Sequence, residues 1–373
     1  MKSFGLLLGA LVLTFIFIEF VLFGLIFLPA DIPRLKETQF NEVLRYDPYQ
    51  AGTWRIGNTI HSAYQINNDG WNSGHTKYRS PRSNPSRNRV GIIGDSYIEA
   101  LQVDFNKSVA EKLEELLPAT DVYRFGISGA PLSQYVKVFD YVMSVYSPDV
   151  VVINVVNNDF IESLPGVQTG TFSASFDKWQ ISTEGQHYEI LPAAPYHPGW
   201  IALIKSTNIY GYFFTRKKLR LGSLREMVLN FSLDDMQSPQ TGHSQFITNT
   251  SVRDLSDPRV FRIIDVFALE LTRIQRRYPK LSRLIVLLDG PRGRSKESCR
   301  KKELSPRLLG ITEKMSAAMM EHGIEFYPLW EDFFDQECMH GHNMKLPDDG
   351  HWSEDAHDFV AKKLERLLRS ENQ

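Results

Sequence analysis

The feature that most constrains the fold is a run of apolar, largely β-branched residues, VVVINVV, at positions 150–156. A strand that is apolar along its whole length is typical of a sheet buried on both faces. Further strands are predicted at 90–93, 122–125, 284–288 and 324–327. Segments with helical spacing lie between or after them, at 109–117, 132–145, 259–278, 305–322 and from Ser353 onward. This alternation predicts an α/β fold around a central parallel sheet.

The amino-terminal segment, residues 4–29, is almost wholly apolar. It exceeds the roughly 20 residues that cross a bilayer and the apolar core of about 7–15 residues in a secretory signal. Leu28-Pro29-Ala30 is also a poor cleavage site, so we expect residues 1–30 to be an uncleaved, single transmembrane anchor. Lys2 favours a cytoplasmic amino terminus. The rest of the chain is then expected on the extracytoplasmic side of the cell (inner or plasma) membrane.

The expected membrane location affects how Glu19 and the two cysteines are interpreted. A carboxylate within a span costs about 3 kcal/mol. Glu19 therefore indicates either contact with a membrane partner or a protonated side chain that a strongly apolar helix tolerates. Outside the cytoplasm disulfides persist, so a Cys299–Cys338 bridge and two free thiols are both open.

The remaining chain divides into three parts. Residues 31–89 are expected to form a stalk, up to residue 45, and then a turn-rich extension in which 67–70, Asn-Asn-Asp-Gly, predicts a hairpin turn. Residues 90–373 are expected to form the main domain. Within it, the segment 161–258 is too long for a simple connection. Its aromatic residues and the basic run at 216–220 favour a cap that covers the substrate site. The alternative is a decorative insertion. The net charge of −2 and the dispersed Lys and Arg indicate no nucleic-acid partner.

Three polar motifs carry the chemistry: Gly94-Asp95-Ser96-Tyr97, Asn157-Asn158-Asp159 and Asp348-Asp349-Gly350-His351. Ligands gather at the carboxyl ends of parallel strands, so Ser96, Gly129 and Asn158, each after a predicted strand, are expected at one edge. A serine hydroxyl needs a base. His351 can take its proton and Asp348 can fix the imidazole tautomer, with Asp349 expected to matter much less. The backbone N–H groups of Ser96 and Gly129 and the Asn158 amide are the expected oxyanion donors.

Together the motifs resemble those of the SGNH hydrolases, also called GDSL-type esterases. Residues 94–97 match the first family block, 125–129 resemble the second, 157–159 resemble the third, where the family often has Gly-Gly-Asn-Asp, and Asp348-x-x-His351 matches the last. Residues 67–71 also resemble a segment of some membrane-anchored bacterial members. The resemblance covers roughly residues 60–160 and 280–370. It implies a flavodoxin-like three-layer α/β/α sandwich, supporting roles for Asp95 and Asp159, and neither a metal nor an organic cofactor.

The resulting prediction is a membrane-anchored extracytoplasmic serine esterase. Its substrate is expected to be an acylated carbohydrate or lipid, with an O-deacetylase or acyl-ester hydrolase of cell-surface polysaccharide favoured, acting through an acyl-Ser96 intermediate. An O-acyltransferase with the same triad and a non-enzymatic glycan-binding or assembly module stay open. A metal site is a further alternative, because seven potential ligands crowd into 20 residues: Cys338, His340, His342, Asp348, Asp349, His351 and His357.

Overall fold

A computed structural model of the chain describes residues 2–80, 86–167, 173–182, 187–219, 255, 257–294 and 298–370. The described strands are β1 (Ala51–Ile56), β2 (Ile60–Gln65), β3 (Asn88–Gly94), β4 (Thr120–Gly126), β5 (Val150–Val155), β6 (Lys178–Ile181), β7 (Tyr188–Leu191), β8 (Arg283–Leu288) and β9 (Glu325–Pro328). The described α-helices are α1 (Lys2–Ile16), α2 (Ser96–Glu99), α3 (Val109–Leu116), α4 (Leu132–Tyr146), α5 (Asp159–Glu162), α6 (Trp200–Lys205), α7 (Asn208–Tyr210), α8 (Arg259–Arg277), α9 (Pro306–Glu321), α10 (Trp330–Cys338) and α11 (Glu354–Arg369).

A five-stranded parallel sheet forms the centre, in the spatial order β4-β3-β5-β8-β9. Counted along the chain within this sheet, the order is 2-1-3-4-5, which is that of flavodoxin-like folds. All five sheet strands coincide with strands predicted from the apolar runs, with ends shifted by one or two residues. The predicted α/β fold with a central parallel sheet is therefore confirmed.

Helices cover both faces of this sheet and complete three layers. One apolar core joins α4, α8 and α9 to the sheet, and the other joins α3, α10 and α11. α8 illustrates why: its buried residues recur at helical spacing, from Val260 through Ile263 and Ile264 to Phe267 and Leu271. The closing helix α11 begins as predicted, because the Ser353 hydroxyl accepts a hydrogen bond from the Ala356 N–H at 3.2 Å.

The expected stalk is wrong. Leu44 is buried in the same core as Trp71 of the extension, and Leu35 pairs with Tyr46 in an isolated antiparallel bridge. The main hairpin is β1–β2, with its turn at 57–59, whereas residues 67–70 form a turn that Ile66 and Asn72 close. Residues 31–80 therefore belong to the domain and bring the β1–β2 turn within reach of distant loops.

Before this region, α1 continues as a π-helix, Phe17–Ile26. The segment Ser3–Ile26 is long and apolar enough to cross a membrane; its hydropathy is 2.7, and 11% of its most apolar 18-residue stretch is buried. Near the other end of the chain a disulfide joins Cys299 and Cys338, whose Cα atoms are 5.4 Å apart.

Only part of the predicted insertion is described. Its β6–β7 hairpin packs on the domain through Trp179, which is 1% exposed and lies 6.5 Å from the Phe267 ring. α6, α7 and a π-helix, Gly211–Arg216, follow. Residues 220–254, including Arg220 of the basic run, lie outside the described residues, and the cap stays a prediction.

Candidate active site

Ser96 lies at the carboxyl edge of the sheet, where β3 ends at Gly94 and α2 begins. Asp95 separates them and caps the helix, because its Oδ1 accepts a hydrogen bond from the Tyr97 N–H at 3.0 Å. This turn holds the Ser96 side chain, which is partly exposed, just above the end of the strand. The short helix after the strand therefore fixes the backbone that carries Ser96.

His351 contacts this hydroxyl. Its Nε2 lies 2.8 Å from Ser96 Oγ, and its Nδ1 pairs with Asp349 Oδ1. Because a carboxylate only accepts hydrogen bonds, the proton on the ring belongs on Nδ1, which leaves the Nε2 lone pair toward Ser96. The structure thus connects a serine, an imidazole and a carboxylate through successive hydrogen bonds.

The carboxylate is not the expected one. Asp348, three residues before His351, is exposed and accepts a hydrogen bond from the Thr59 hydroxyl in the β1–β2 turn. Asp349 is buried, and its Oδ1 also accepts the His351 backbone N–H at 3.0 Å. This local bond from a side chain to the backbone two residues on is an Asx-type turn, and it places Asp349 against the ring. The prediction of Asp348 as the orienting acid is therefore wrong on geometry.

The charges around His351 favour a strong base. Burial alone lowers the pKa of His351, but the Asp349 carboxylate more than offsets this and the pKa is raised above its ordinary value. For Asp349, burial opposes ionisation, yet His351 and Lys218 outweigh it and hold the pKa of the carboxyl well below its usual range. Lys218 Nζ lies 3.0 Å from Asp349 Oδ2. Asp349 therefore stays charged at any pH where His351 titrates.

A second carboxyl group touches the serine. Asp95 Oδ2 lies 3.2 Å from Ser96 Oγ, and burial raises the pKa of Asp95 to about 6. The hydroxyl has one proton, so it donates either to Asp95 or to His351. The shorter distance, 2.8 Å, is to His351.

Gly129 follows β4 at the same edge of the sheet, with φ of +75°, a conformation that favours glycine. The buried Glu99 holds the residue before it. Glu99 Oε1 accepts the Ser128 N–H at 3.0 Å, and its carboxylate also accepts the Ser128 hydroxyl. Tyr46 donates its hydroxyl to Glu99 at 2.5 Å. The N-terminal extension thus helps to position the expected oxyanion loop, and burial raises the pKa of Glu99.

Asn158 follows β5, and its amide is oriented by α5. Its Nδ2 donates to Glu162 Oε1 at 2.9 Å. An amide nitrogen has two N–H groups, so this bond uses one and fixes the direction of the other. Asp159 holds the turn below, where it accepts the Val156 N–H at 2.7 Å and the Tyr135 hydroxyl at 2.9 Å. Burial raises the pKa of Asp159 well above its ordinary value.

Sequence reasoning missed the pair that ties the serine helix to the histidine loop. Asp289 and Arg292 form a buried ion pair. Arg292 Nη2 donates to the Tyr97 hydroxyl at 2.8 Å and to the Gly350 carbonyl at 3.2 Å, and Trp352 Nε1 donates to Asp289 at 2.9 Å. A signal existed, because Asp289 directly follows a predicted strand, as Asp95 and Asn158 nearly do. Glu99 and Glu162 had no such signal.

Three of the candidate metal ligands have separate partners. Cys338 is in the disulfide, and His342 lies 4.0 Å from Asp355 at the surface. His357 is buried in α11, where its Nδ1 accepts the Val109 N–H at 3.2 Å. Burial lowers the pKa of His357 to about 3, so the ring is neutral. Within the residues that the structure describes, no three His, Cys, Asp or Glu side chains converge as metal ligands.

Comparisons with known proteins give structural similarity only. No family model and no curated protein matches the chain. Matching solved structures include an acetyl xylan esterase, with 13% identity, 75% of this chain and 99% of that chain covered, and a TM-score of 0.38. A lipase/acylhydrolase from Enterococcus faecalis has 10% identity, covers 76% and 96%, and has a TM-score of 0.36. A member of the lipolytic protein G-D-S-L family from Veillonella parvula has 8% identity, covers 76% and 99%, and has a TM-score of 0.35. Likenesses this distant identify neither a substrate nor a reaction for this chain.

Proposed function

We propose that this chain is a membrane-anchored serine esterase of the SGNH (GDSL-type) hydrolase family. The observation that carries the proposal is the line of contacts from Ser96 Oγ to His351 Nε2, at 2.8 Å, and from His351 Nδ1 to the buried Asp349 carboxylate. Gly129 and Asn158 at the same edge of the sheet support it, because an oxyanion needs preorganised donors.

The proposed reaction proceeds through an acyl-enzyme. His351 Nε2 takes the hydroxyl proton as Ser96 Oγ attacks the ester carbonyl carbon. The oxyanion accepts hydrogen bonds from the backbone N–H groups of Ser96 and Gly129 and from the Asn158 amide. The intermediate collapses, and His351 gives its proton to the departing alcohol. A water molecule, deprotonated by His351, then attacks the acyl-Ser96 ester, and His351 returns the proton to Ser96 Oγ as the acid is released.

The proposed substrate is an acetylated or otherwise acylated cell-surface polysaccharide, met on the extracytoplasmic side. The apolar Ser3–Ile26 segment supports a location at the membrane, and Lys2 before it supports an inner amino terminus. An added polysaccharide cannot cross a membrane, so only an active site on the outer side can act on it. Its hydrolysis therefore tests both the reaction and the location of the active site.

We expect intact spheroplasts that express the full-length chain to release acetate from an added acetylated polysaccharide and from an aryl acetate. Spheroplasts with Ser96→Ala serve as the control. Release only after lysis would place the site in the cytoplasm and contradict the localisation. Transfer of acetyl groups to an added sugar, without free acetate, would make the enzyme an acyltransferase. No turnover of any ester would contradict the proposed reaction itself.

The pH dependence follows from the charges at Asp349. Only neutral His351 accepts the serine proton. We therefore expect kcat/KM to fall as the pH drops below the pKa of His351, which is raised above its ordinary value of about 6.5. Lys218→Met removes a cation 3.0 Å from Asp349. The carboxylate then attracts the imidazolium more strongly, and the acid limb should move to higher pH by up to about one unit.

Lys217→Met is the matched control for this prediction. Lys217 is exposed and lies 5.8 Å from the Tyr212 ring centroid, whereas the ion pair with Asp349 is made by Lys218. Its pH profile should equal that of the unaltered protein. An unmoved acid limb in Lys218→Met, or a limb moved to lower pH, would show that Lys218 does not act on the His351 pKa through Asp349.

A further inference from the structure

Glu19, the carboxylate within the apolar segment, has its partners in the same chain. It is 5% exposed. Its side chain accepts the backbone N–H of Asn208 and, at 3.1 Å, that of Ile209, while Asn208 Nδ2 donates to the Glu19 carbonyl at 3.1 Å. Glu19 thus satisfies the free N–H groups at the start of α7. Both earlier interpretations, a separate membrane partner and a merely tolerated side chain, miss this contact.

The residues after α7 continue beside the end of the apolar segment. The Phe23 ring packs on those of Tyr212 and Phe213, each at 5.2 Å between centroids. A Cβ at Gly211 would lie 2.5 Å from the Ala30 carbonyl oxygen, so only glycine permits this approach. Arg216 then donates to the Leu28 carbonyl at 2.7 Å. The helix from 208 to 216 therefore lies along the last turns of the apolar segment.

The residues before α7 expose a strongly apolar surface. In α6, Trp200 is 70% exposed, Leu203 73% and Ile204 47%. Large apolar side chains of the adjoining segment are equally exposed, with Phe20 at 60% and Leu25 at 72%. The Glu19 and Phe23 contacts join the apolar segment to residues 208–213, which follow α6 directly in the chain. In water such an area is costly, at about 25 cal/mol per Å².

Both ends of this stretch return to the domain. Before it, the Tyr196 N–H donates to the Thr38 hydroxyl at 2.9 Å, and after it the Gly57 N–H donates to the Arg216 carbonyl at 2.7 Å. Its turn lies near Glu19, which precedes the helix end at Ile26 by at most about 10 Å, the length that the α-helical rise of 1.5 Å per residue would give. That depth corresponds to the boundary between headgroups and acyl chains, where interfacial helices lie.

We propose that residues 199–216 form a re-entrant hairpin that inserts into the same bilayer as the anchor, in the half that faces the catalytic domain. The partner is the lipid itself. Helical backbone through most of the hairpin satisfies its own polar groups, as hydrocarbon requires. Trp200 and Tyr210 suit the interface. Lys205, near the turn, has a side chain long enough to reach the headgroups.

The hairpin would hold the active site at the membrane surface. Lys218, two residues beyond it, lies 3.0 Å from Asp349. A fixed hairpin therefore sets the distance between the lipid headgroups and the Ser96–His351 pair, and it favours acyl esters presented at the membrane surface. This inference rests on the proposed anchor and is independent of the proposed hydrolysis.

The test uses the full-length chain in vesicles of phosphatidylcholine and phosphatidylglycerol. Cys299 and Cys338 are paired, so a single added cysteine can carry an environment-sensitive fluorophore. The probe positions are Leu203→Cys in the hairpin, Leu11→Cys in the anchor and Met320→Cys in α9, where an apolar side chain is 77% exposed. Lipids spin-labelled near the headgroup or deep in the acyl chain then quench the probes they meet.

We expect the Leu203 probe to lose roughly half of its emission to the shallow label, the Leu11 probe to be quenched more by the deep label, and the Met320 probe to keep its emission. Quenching at Leu11 with none at Leu203 would overturn the hairpin and leave the anchor intact. Quenching at neither would overturn both. Quenching at Met320 equal to that at Leu203 would show adsorption of the whole domain and overturn a specific insertion. None of these readouts depends on ester hydrolysis.

Substitution of Glu19 tests the connection between anchor and hairpin. Glu19→Leu removes the acceptors for Asn208 and Ile209, and we expect it to reduce quenching at Leu203 while quenching at Leu11 is unchanged. Glu19→Gln keeps one oxygen acceptor and should retain most of the quenching. Quenching at Leu203 that is unchanged in Glu19→Leu would show that Glu19 does not hold the hairpin.

Discussion

Ser96→Ala is expected to abolish labelling of the protein by a fluorophosphonate and to lower ester hydrolysis by about 10⁴-fold or more. The reason is the geometry at the sheet edge, where Ser96 Oγ lies 2.8 Å from the base His351. His351→Ala should be as damaging, and the double variant scarcely worse, because residues that act as one unit are not additive. Labelling is measured in gel, and hydrolysis with an aryl acetate.

Ser128→Ala is the matched control. Ser128 also lies at this edge, but its hydroxyl donates to Glu99, and the structure pairs it with no imidazole among the described residues. Labelling should persist in this variant. Labelling that survives in Ser96→Ala and disappears in Ser128→Ala would move the nucleophile to Ser128.

Asp349→Asn is expected to lower kcat by about 10³–10⁴-fold, close to the effect of an orienting aspartate in other serine triads. Asparagine in its place can offer an N–H to His351 Nδ1, which favours the wrong tautomer. Asp348→Asn should change kcat by no more than a few-fold, since Asp348 is exposed and bonds to Thr59. Steady-state kinetics of both variants with one aryl ester check the order.

The two variants also decide which aspartate of the Asp348-Asp349-Gly350-His351 motif orients the imidazole. The spacing of the family motif favours Asp348, whereas the contacts favour Asp349. A larger loss in Asp348→Asn would mean that the loop rearranges when substrate binds, and it would return the role to the residue that the motif indicates. Similar losses in both variants would point to the stability of the loop, which thermal unfolding of each variant would detect.

In the loop before His351 the sequence alone does not determine which carboxylate meets the imidazole. Both carboxylates precede His351 closely enough to reach it, so spacing alone could not choose between them. The choice depends on Thr59, nearly three hundred residues away in the chain, and on the burial of Asp349 beside Lys218. The same holds for Glu99 and Arg292, whose partners Tyr46 and Tyr97 lie in other elements.

The stalk failed for a related reason. Residues 31–45 directly follow the apolar segment, and this position favoured a stalk above the membrane. Leu44 is nevertheless buried in the main core, and Asp31 Oδ2 accepts a hydrogen bond from the Thr53 N–H at 2.7 Å. Such contacts depend on how the β1–β2 hairpin packs, which no local pattern encodes.

What the sequence determined by itself was local and periodic. Continuous apolar runs specified the five sheet strands, because a strand covered on both faces excludes polar side chains at almost every position. Their positions shortly after those strands placed Ser96, Gly129 and Asn158 at one edge of the sheet, because parallel strands end at one edge. Tertiary structure alone decided which carboxylate meets His351 and which segment meets Glu19. Both contacts depend on the burial of, and the hydrogen bonds between, residues far apart in the chain. The free energies of these interactions arise only once the elements have packed.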